Sequence, residues 1–186
     1  MFLLMLFAAL LLAAVVLVPY IMPTDPSPLV RTALGFFNGT PKDVQLAPLD
    51  GPSGARPTGH WLQVDAARAY NAMRAEAEAT GVLFTLNTSF RDNDFQRRLF
   101  AMYLAGTGNL AARPGFSTHQ QGRSVDISTH GQGRASKEYQ WLTANAARFN
   151  FTNDVASEPW HWTYVGPITV QDVVTHRLEG GEKSHE

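Results

Sequence analysis

The sequence predicts an α+β domain, and three observations lead there. Segments with helical apolar spacing recur from Val64 onward. Short strand-like runs lie between them, bounded by turn residues. The two kinds of segment do not alternate as a regular βαβ repeat, so a doubly wound parallel sheet is not expected. A length of 186 residues suits one compact domain with additions, and 45% hydrophobic residues are enough for a packed core.

The elements follow in chain order. Phe2 to Met22 contains 21 residues without a charged side chain, about the length that spans a bilayer. No Lys or Arg precedes it and no clear A-x-A site follows, so residues 1–22 read as a transmembrane anchor more than as a cleaved signal. Residues 23–59 read as a linker and an irregular segment. Pro23, Pro26 and Pro28 stiffen its start, and further Gly and Pro residues fill the rest, with a short strand near Val44 to Leu46. The ordered domain is expected over residues 60–178. Val64 to Thr80 is a predicted helix, with Val64, Ala67, Tyr70 and Met73 on one face and Gly81 as its stop. Val82 to Thr88 is a predicted strand. Asp92 or Asn93 is expected to cap a second helix that buries Phe95, Leu99, Tyr103 and Leu104, with Gly106 after its end. Thr107 to Ser117 is a loop, Arg123 to Ser128 a strand, and Ser136 the cap of a third helix to Phe149. Trp160 to Val165 is a final strand, and residues 179–186 are a polar tail.

A formal net charge of -1 without a long charge run gives no basic patch for nucleic acid. The chain has no cysteine, so any zinc site must use His and carboxylate ligands. Two segments offer such groups: Ser117-Thr118-His119-Gln120-Gln121-Gly122-Arg123-Ser124-Val125-Asp126 and Glu158-Pro159-Trp160-His161-Trp162-Thr163-Tyr164. A catalytic zinc takes three protein ligands and keeps one position open. Two His and an Asp supply three ligands, and a Glu remains to move protons. Gly122 allows a tight turn that brings His119 and Asp126 toward one point. Val125 and Ile127 flank Asp126 on the opposite strand face. Pro159 biases Glu158 toward an extended backbone. His60, His130, His176 and His185 have no such setting and stay unassigned.

These segments resemble the S-x-H-x-x-G-x-x-x-D and E-x-W-H-x-x-Y signatures of the zinc D-alanyl-D-alanine carboxypeptidase and dipeptidase family. That family includes the vancomycin-resistance enzymes and several phage endolysins, and its wider fold group includes the Hedgehog signalling domain. Ser89-Phe90-Arg91 and Gln96 resemble the family's S-x-[YF]-R segment and the following glutamine. The resemblance covers roughly His60 to Gly166. It implies a Hedgehog/D-Ala-D-Ala-peptidase-like domain whose antiparallel sheet carries zinc. It implies His119, Asp126 and His161 as zinc ligands and Glu158 as general base. Arg91 corresponds to the arginine near the scissile carbonyl, and Ser117 to a serine near the polar end of the substrate. An ordinary ion pair for Arg91 and a local turn for Ser117 are the plain structural alternatives. Arg123 and Ser124 depart from the small or apolar residues common at those positions. The implied activity is hydrolysis of peptidoglycan stem peptides, foremost removal of a terminal D-Ala. An L-alanyl-D-glutamate endopeptidase and a non-catalytic zinc-containing binding module are the alternatives. With the apolar N-terminus, this gives a membrane-anchored, extracytoplasmic monomer acting on the cell wall.

Overall fold

A computed structural model describes residues 29–55 and 58–169. The apolar segment 2–22 and the tail 179–186 lie outside the described residues, as do His176 and His185. Among the described residues no helix is long and apolar enough to cross a membrane.

The described residues form two antiparallel sheets and three α-helices. In the first sheet β1 (Arg31–Phe37) pairs with β2 (Thr40–Pro48), and β2 pairs with β3 (Trp61–Gln63). This corrects the irregular reading of residues 31–48. Asn38 and Gly39 both take positive φ, 51° and 83°, as a two-residue hairpin turn of type I′ requires. Their pairing continues from Phe37↔Thr40 to Arg31↔Leu46 without a break.

Gln63 ends β3 and caps α1 (Val64–Ala79), its side-chain oxygen accepting from Asp65 N at 3.0 Å. Val64, Ala66, Ala67, Tyr70, Met73 and Ala77 of α1 are buried. The many alanines let the helix lie close to the sheets, and Gly81 at φ +83° closes it. These side chains join Leu49, Leu62, Val125, Ile127, Leu142, Phe151, Trp162 and Tyr164 in one core.

The second sheet has the order β4 (Leu86–Thr88), β5 (Ser124–Ile127), β7 (His161–Tyr164), β6 (Phe151–Thr152). Only the last three residues of the predicted strand 82–88 pair. Asp92 caps α2 (Asn93–Leu104), with Oδ1 accepting from Phe95 N at 2.7 Å. Ser136 caps α3 (Lys137–Asn145) in the same way, through Tyr139 N.

The expected buried face of α2 is a second correction. Gln96 alone is buried on this helix, and Leu104 is 69% exposed. Phe95, Leu99 and Met102 instead wall a cavity of 550 Å³ that also reaches Arg91, Asp126, Glu158 and Trp160. The helical periodicity is real, but part of its apolar stripe borders a cleft and the rest faces outward.

Candidate metal centre

β5 and β7 bring the two signature segments together. Their register sets Asp126 opposite His161 and Ser124 opposite Thr163. Val125 and Ile127 point into the core, so strand alternation turns Asp126 to the other face. His119 sits in a turn that ends at Gly122, where φ is +70° and a Cβ would lie 3.0 Å from Gln63 N. Gly122 O accepts from Gln63 N at 2.8 Å, which fixes this turn against the first sheet.

Three ligand atoms meet. His119 Nε2 is 3.2 Å from Asp126 Oδ1, His161 Nδ1 is 3.1 Å from the same oxygen, and the two nitrogens are 3.2 Å apart. All three residues are buried. His119 Nδ1 lies 2.7 Å from Ser89 O, which only accepts, so Nδ1 carries the proton and Nε2 presents a lone pair. Burial lowers the His119 pKa, mainly by desolvating its charged form, so the ring is neutral at pH 7. His161 Nε2 faces Thr163 Oγ1 at 3.1 Å and Asp154 Oδ1 at 3.4 Å. A proton there leaves the Nδ1 lone pair inward. Two lone pairs and a carboxylate oxygen then converge, a donor set that could hold a metal ion. The donor set fits zinc: tetrahedral bonds of about 2.0–2.1 Å put ligand atoms roughly 3.3 Å apart, close to the separations found here.

Asp126 stays ionised. Burial alone would push its carboxyl up, but the two imidazoles and the Arg91 guanidinium around it hold it well below the usual carboxylate range. Its second oxygen accepts from Thr88 Oγ1 at 3.0 Å and from Arg91 Nη2. Arg91 also donates through Nε and Nη2 to Thr88 Oγ1, at 3.1 and 2.8 Å. Arg91 thus pairs with Asp126 while its side chain also borders the cleft. Burial lowers the Arg91 pKa, with Asp126 and Glu158 opposing, yet a guanidinium keeps its charge in proteins.

Glu158 stands beside the triangle, with Oε2 4.0 Å from His161 Nδ1. Its side chain is 18% exposed, and desolvation raises its pKa. Asn153 Nδ2 donates to Glu158 O at 2.8 Å and His161 O at 2.7 Å, which fixes the turn joining them. Glu158 and Arg91 border both the 550 Å³ cavity and a second one of 330 Å³. The smaller cavity reaches Gln96, Ser117, His119 and His161. Gln96 Nε2 donates to Ala112 O at 2.8 Å, and its Oε1 is a buried acceptor without a partner among the described residues. Ser117 Oγ accepts from His119 N at 3.3 Å, so the local turn is present and the hydroxyl proton can still point to the cavity.

The two departures find structural uses. Arg123 donates to Tyr164 O at 2.8 Å and Gly166 O at 2.9 Å, away from the cleft. Ser124 is buried, 2.8 Å from Thr163 Oγ1. Among the unassigned histidines, His60 Nδ1 lies 3.2 Å from Ser89 Oγ and His130 is exposed. Asn153, Asp154 and Thr163 were not foreseen. An Asn-Asp pair four residues before the Glu-x-W-H segment is their only local sign.

Comparison with known proteins places the chain in a family. A D-alanyl-D-alanine carboxypeptidase of Enterococcus faecalis (strain ATCC 700802 / V583) is 41% identical over 66 residues, 30% of this chain and 25% of that protein. The chain thus matches about a quarter of that curated relative's length. The structure of VanYB in complex with D-alanine-D-alanine aligns with a TM-score of 0.51 at 25% identity, covering 76% of this chain and 91% of that one. The LdcB LD-carboxypeptidase shares the fold, with a TM-score of 0.52 at 23% identity over 71% of this chain and 72% of its own. The family model for VanY, D-alanyl-D-alanine carboxypeptidase, matches residues 59–167, more than half of the chain, and the protein belongs to that family.

Proposed function

We propose that this protein is a zinc peptidase that removes the terminal D-Ala from peptidoglycan stem peptides. His119, Asp126 and His161 hold the zinc and Glu158 is the general base. The triangle of three inward-facing acceptors beside a desolvated carboxylate carries this reading. Family membership supports it, as does the D-alanine-D-alanine bound in the VanYB complex.

Bound zinc would polarise the scissile carbonyl and lower the pKa of its water to about 7. The chain's own groups do the rest. Glu158 Oε2 takes a proton from the attacking water and delivers it to the leaving amine. Its raised pKa suits both halves of that task. Arg91 holds Asp126 Oδ2 and places its charge where a substrate carboxylate or developing oxyanion lies. The Ser117 hydroxyl donates to the polar end of the substrate. The buried Gln96 Oε1 offers an acceptor for a peptide N–H. The apolar segment 2–22 tethers the domain to the membrane, on the side where peptidoglycan lies.

Mass spectrometry of stem peptides incubated with residues 29–186 tests the bond cut. Loss of one terminal D-Ala is the expected change. Cleavage between L-Ala and D-Glu would replace the carboxypeptidase reading with an endopeptidase. No cleavage with zinc bound would leave a binding module.

A further inference from the structure

The surroundings of His161 differ from those of His119. His119 donates to a backbone carbonyl, which no side-chain change can remove. His161 depends on side chains. Its Nε2 lies 3.1 Å from Thr163 Oγ1, and Thr163 Oγ1 donates to Asp154 Oδ1 at 2.9 Å. Asp154 Oδ1 is also 3.4 Å from Nε2 itself. On its other side Thr163 Oγ1 lies 2.8 Å from Ser124 Oγ, which in turn lies 2.6 Å from Thr118 Oγ1. A row of hydroxyls thus links the residue before His119, across β5 and β7, to the outer nitrogen of His161.

We propose that Thr163 and Asp154 are positioning residues that set the tautomer and tilt of His161. Protons order along the row. His161 Nε2–H donates to Thr163 Oγ1, and the Thr163 hydroxyl donates to the Asp154 carboxylate, which only accepts. That order leaves one state for the ring, with the Nδ1 lone pair toward the metal. Without the acceptor at the end of the row, Thr163 can donate to Nε2 instead. The ring then carries its proton on Nδ1, where it blocks ligation. Groups of this kind around ligating histidines fix ring orientation and ligand basicity. The register Ser124↔Thr163 gives the departure at Ser124 its reason, because an apolar residue there would leave Thr163 with one neighbour fewer.

This inference rests on the zinc reading, and the test separates the two. Zinc affinity is measured by competition with a chromophoric chelator, without any peptide substrate. Asp154→Ala, whose side chain is 39% exposed, and Thr163→Val should each bind zinc about 10–100-fold more weakly. Thr163→Ser should return to within about twofold of the wild type, because the hydroxyl is restored. The double variant Asp154→Ala/Thr163→Val should bind no more weakly than the weaker single, since both act through one row. Chelated Asp154→Ala should unfold at the wild-type midpoint, which a merely structural role would shift. Wild-type affinity in both single variants would overturn the proposal, as would a Thr163→Ser variant as weak as Thr163→Val. Failure of the wild type to bind zinc would overturn the zinc reading and this inference with it.

Discussion

Removing the Asp126 carboxylate should destabilise the metal-free protein strongly. The Asp126 and Arg91 side chains are 9% and 13% exposed, and they pair directly. In Asp126→Ala the guanidinium keeps Thr88 Oγ1 as its acceptor and loses its paired carboxylate, leaving only the more distant Glu158 as a negative charge nearby. Breaking a buried ion pair from one side costs about 3–5 kcal/mol, because a desolvated charge is left uncompensated. For a domain of this size each kcal/mol moves the melting midpoint by about 2–4 °C, so a fall on the order of 10 °C is expected. Urea unfolding of chelator-treated protein is the assay, because zinc then adds nothing to either variant. Arg91→Met in the Asp126→Ala background removes the orphaned cation. The double variant should therefore be less destabilised than the sum of the singles by at least about 1 kcal/mol. A loss below about 1 kcal/mol in Asp126→Ala, or strict additivity in the cycle, would refute the buried pair.

Two further predictions follow from the site. His119 and His60 have pKa values lowered by burial, so in chelated protein the native state resists protonation that the unfolded chain accepts. Stability is full above the unfolded imidazole value of about 6.5 and falls as pH drops below it, by up to about 1.4 kcal/mol per pH unit from the fully buried His119 and by less from the partly solvated His60. Urea midpoints that stay flat from pH 7.5 to 5.5 would contradict this. Gly122→Ala forces a Cβ into a φ of +70° and within 3.0 Å of Gln63 N. A loss of about 1–3 kcal/mol is expected from the backbone conformation, with weaker zinc binding because the His119 turn shifts. Wild-type values for both would show that the turn does not constrain the site.

The site was more legible in the sequence than the fold around it. His119 and Asp126 are placed by local devices, a glycine turn and strand alternation, and both can be read from neighbouring residues. Glu158 and His161 sit on one turn, so their relation is local too. Thr163 and Asp154 could not be read this way. Their part depends on the cross-strand register and on a loop returning beside β7, and neither leaves a mark within a few residues. Arg91 shows a second limit: its residue type suits a substrate carboxylate and Asp126 equally, and only packing chooses the partner. In the fold, the Gly and Pro density of residues 29–59 hid the Asn38-Gly39 hairpin. The α2 stripe obeyed helical spacing, but periodicity cannot tell a core from a cleft wall. Phe95, Leu99 and Met102 wall a cavity that the substrate reading requires.

In the proposed mechanism Glu158 works beside a zinc site that it does not help to hold. Zinc content and D-Ala release should therefore be measured together, for the wild type and Glu158→Ala, on a peptide ending in D-Ala-D-Ala. Equal zinc is expected in both proteins. Release by the wild type should stop with chelator and return with zinc, and release by the variant should fall at least about 100-fold. Unchanged release by Glu158→Ala would contradict that mechanism, as would release by the wild type that persists after zinc is removed.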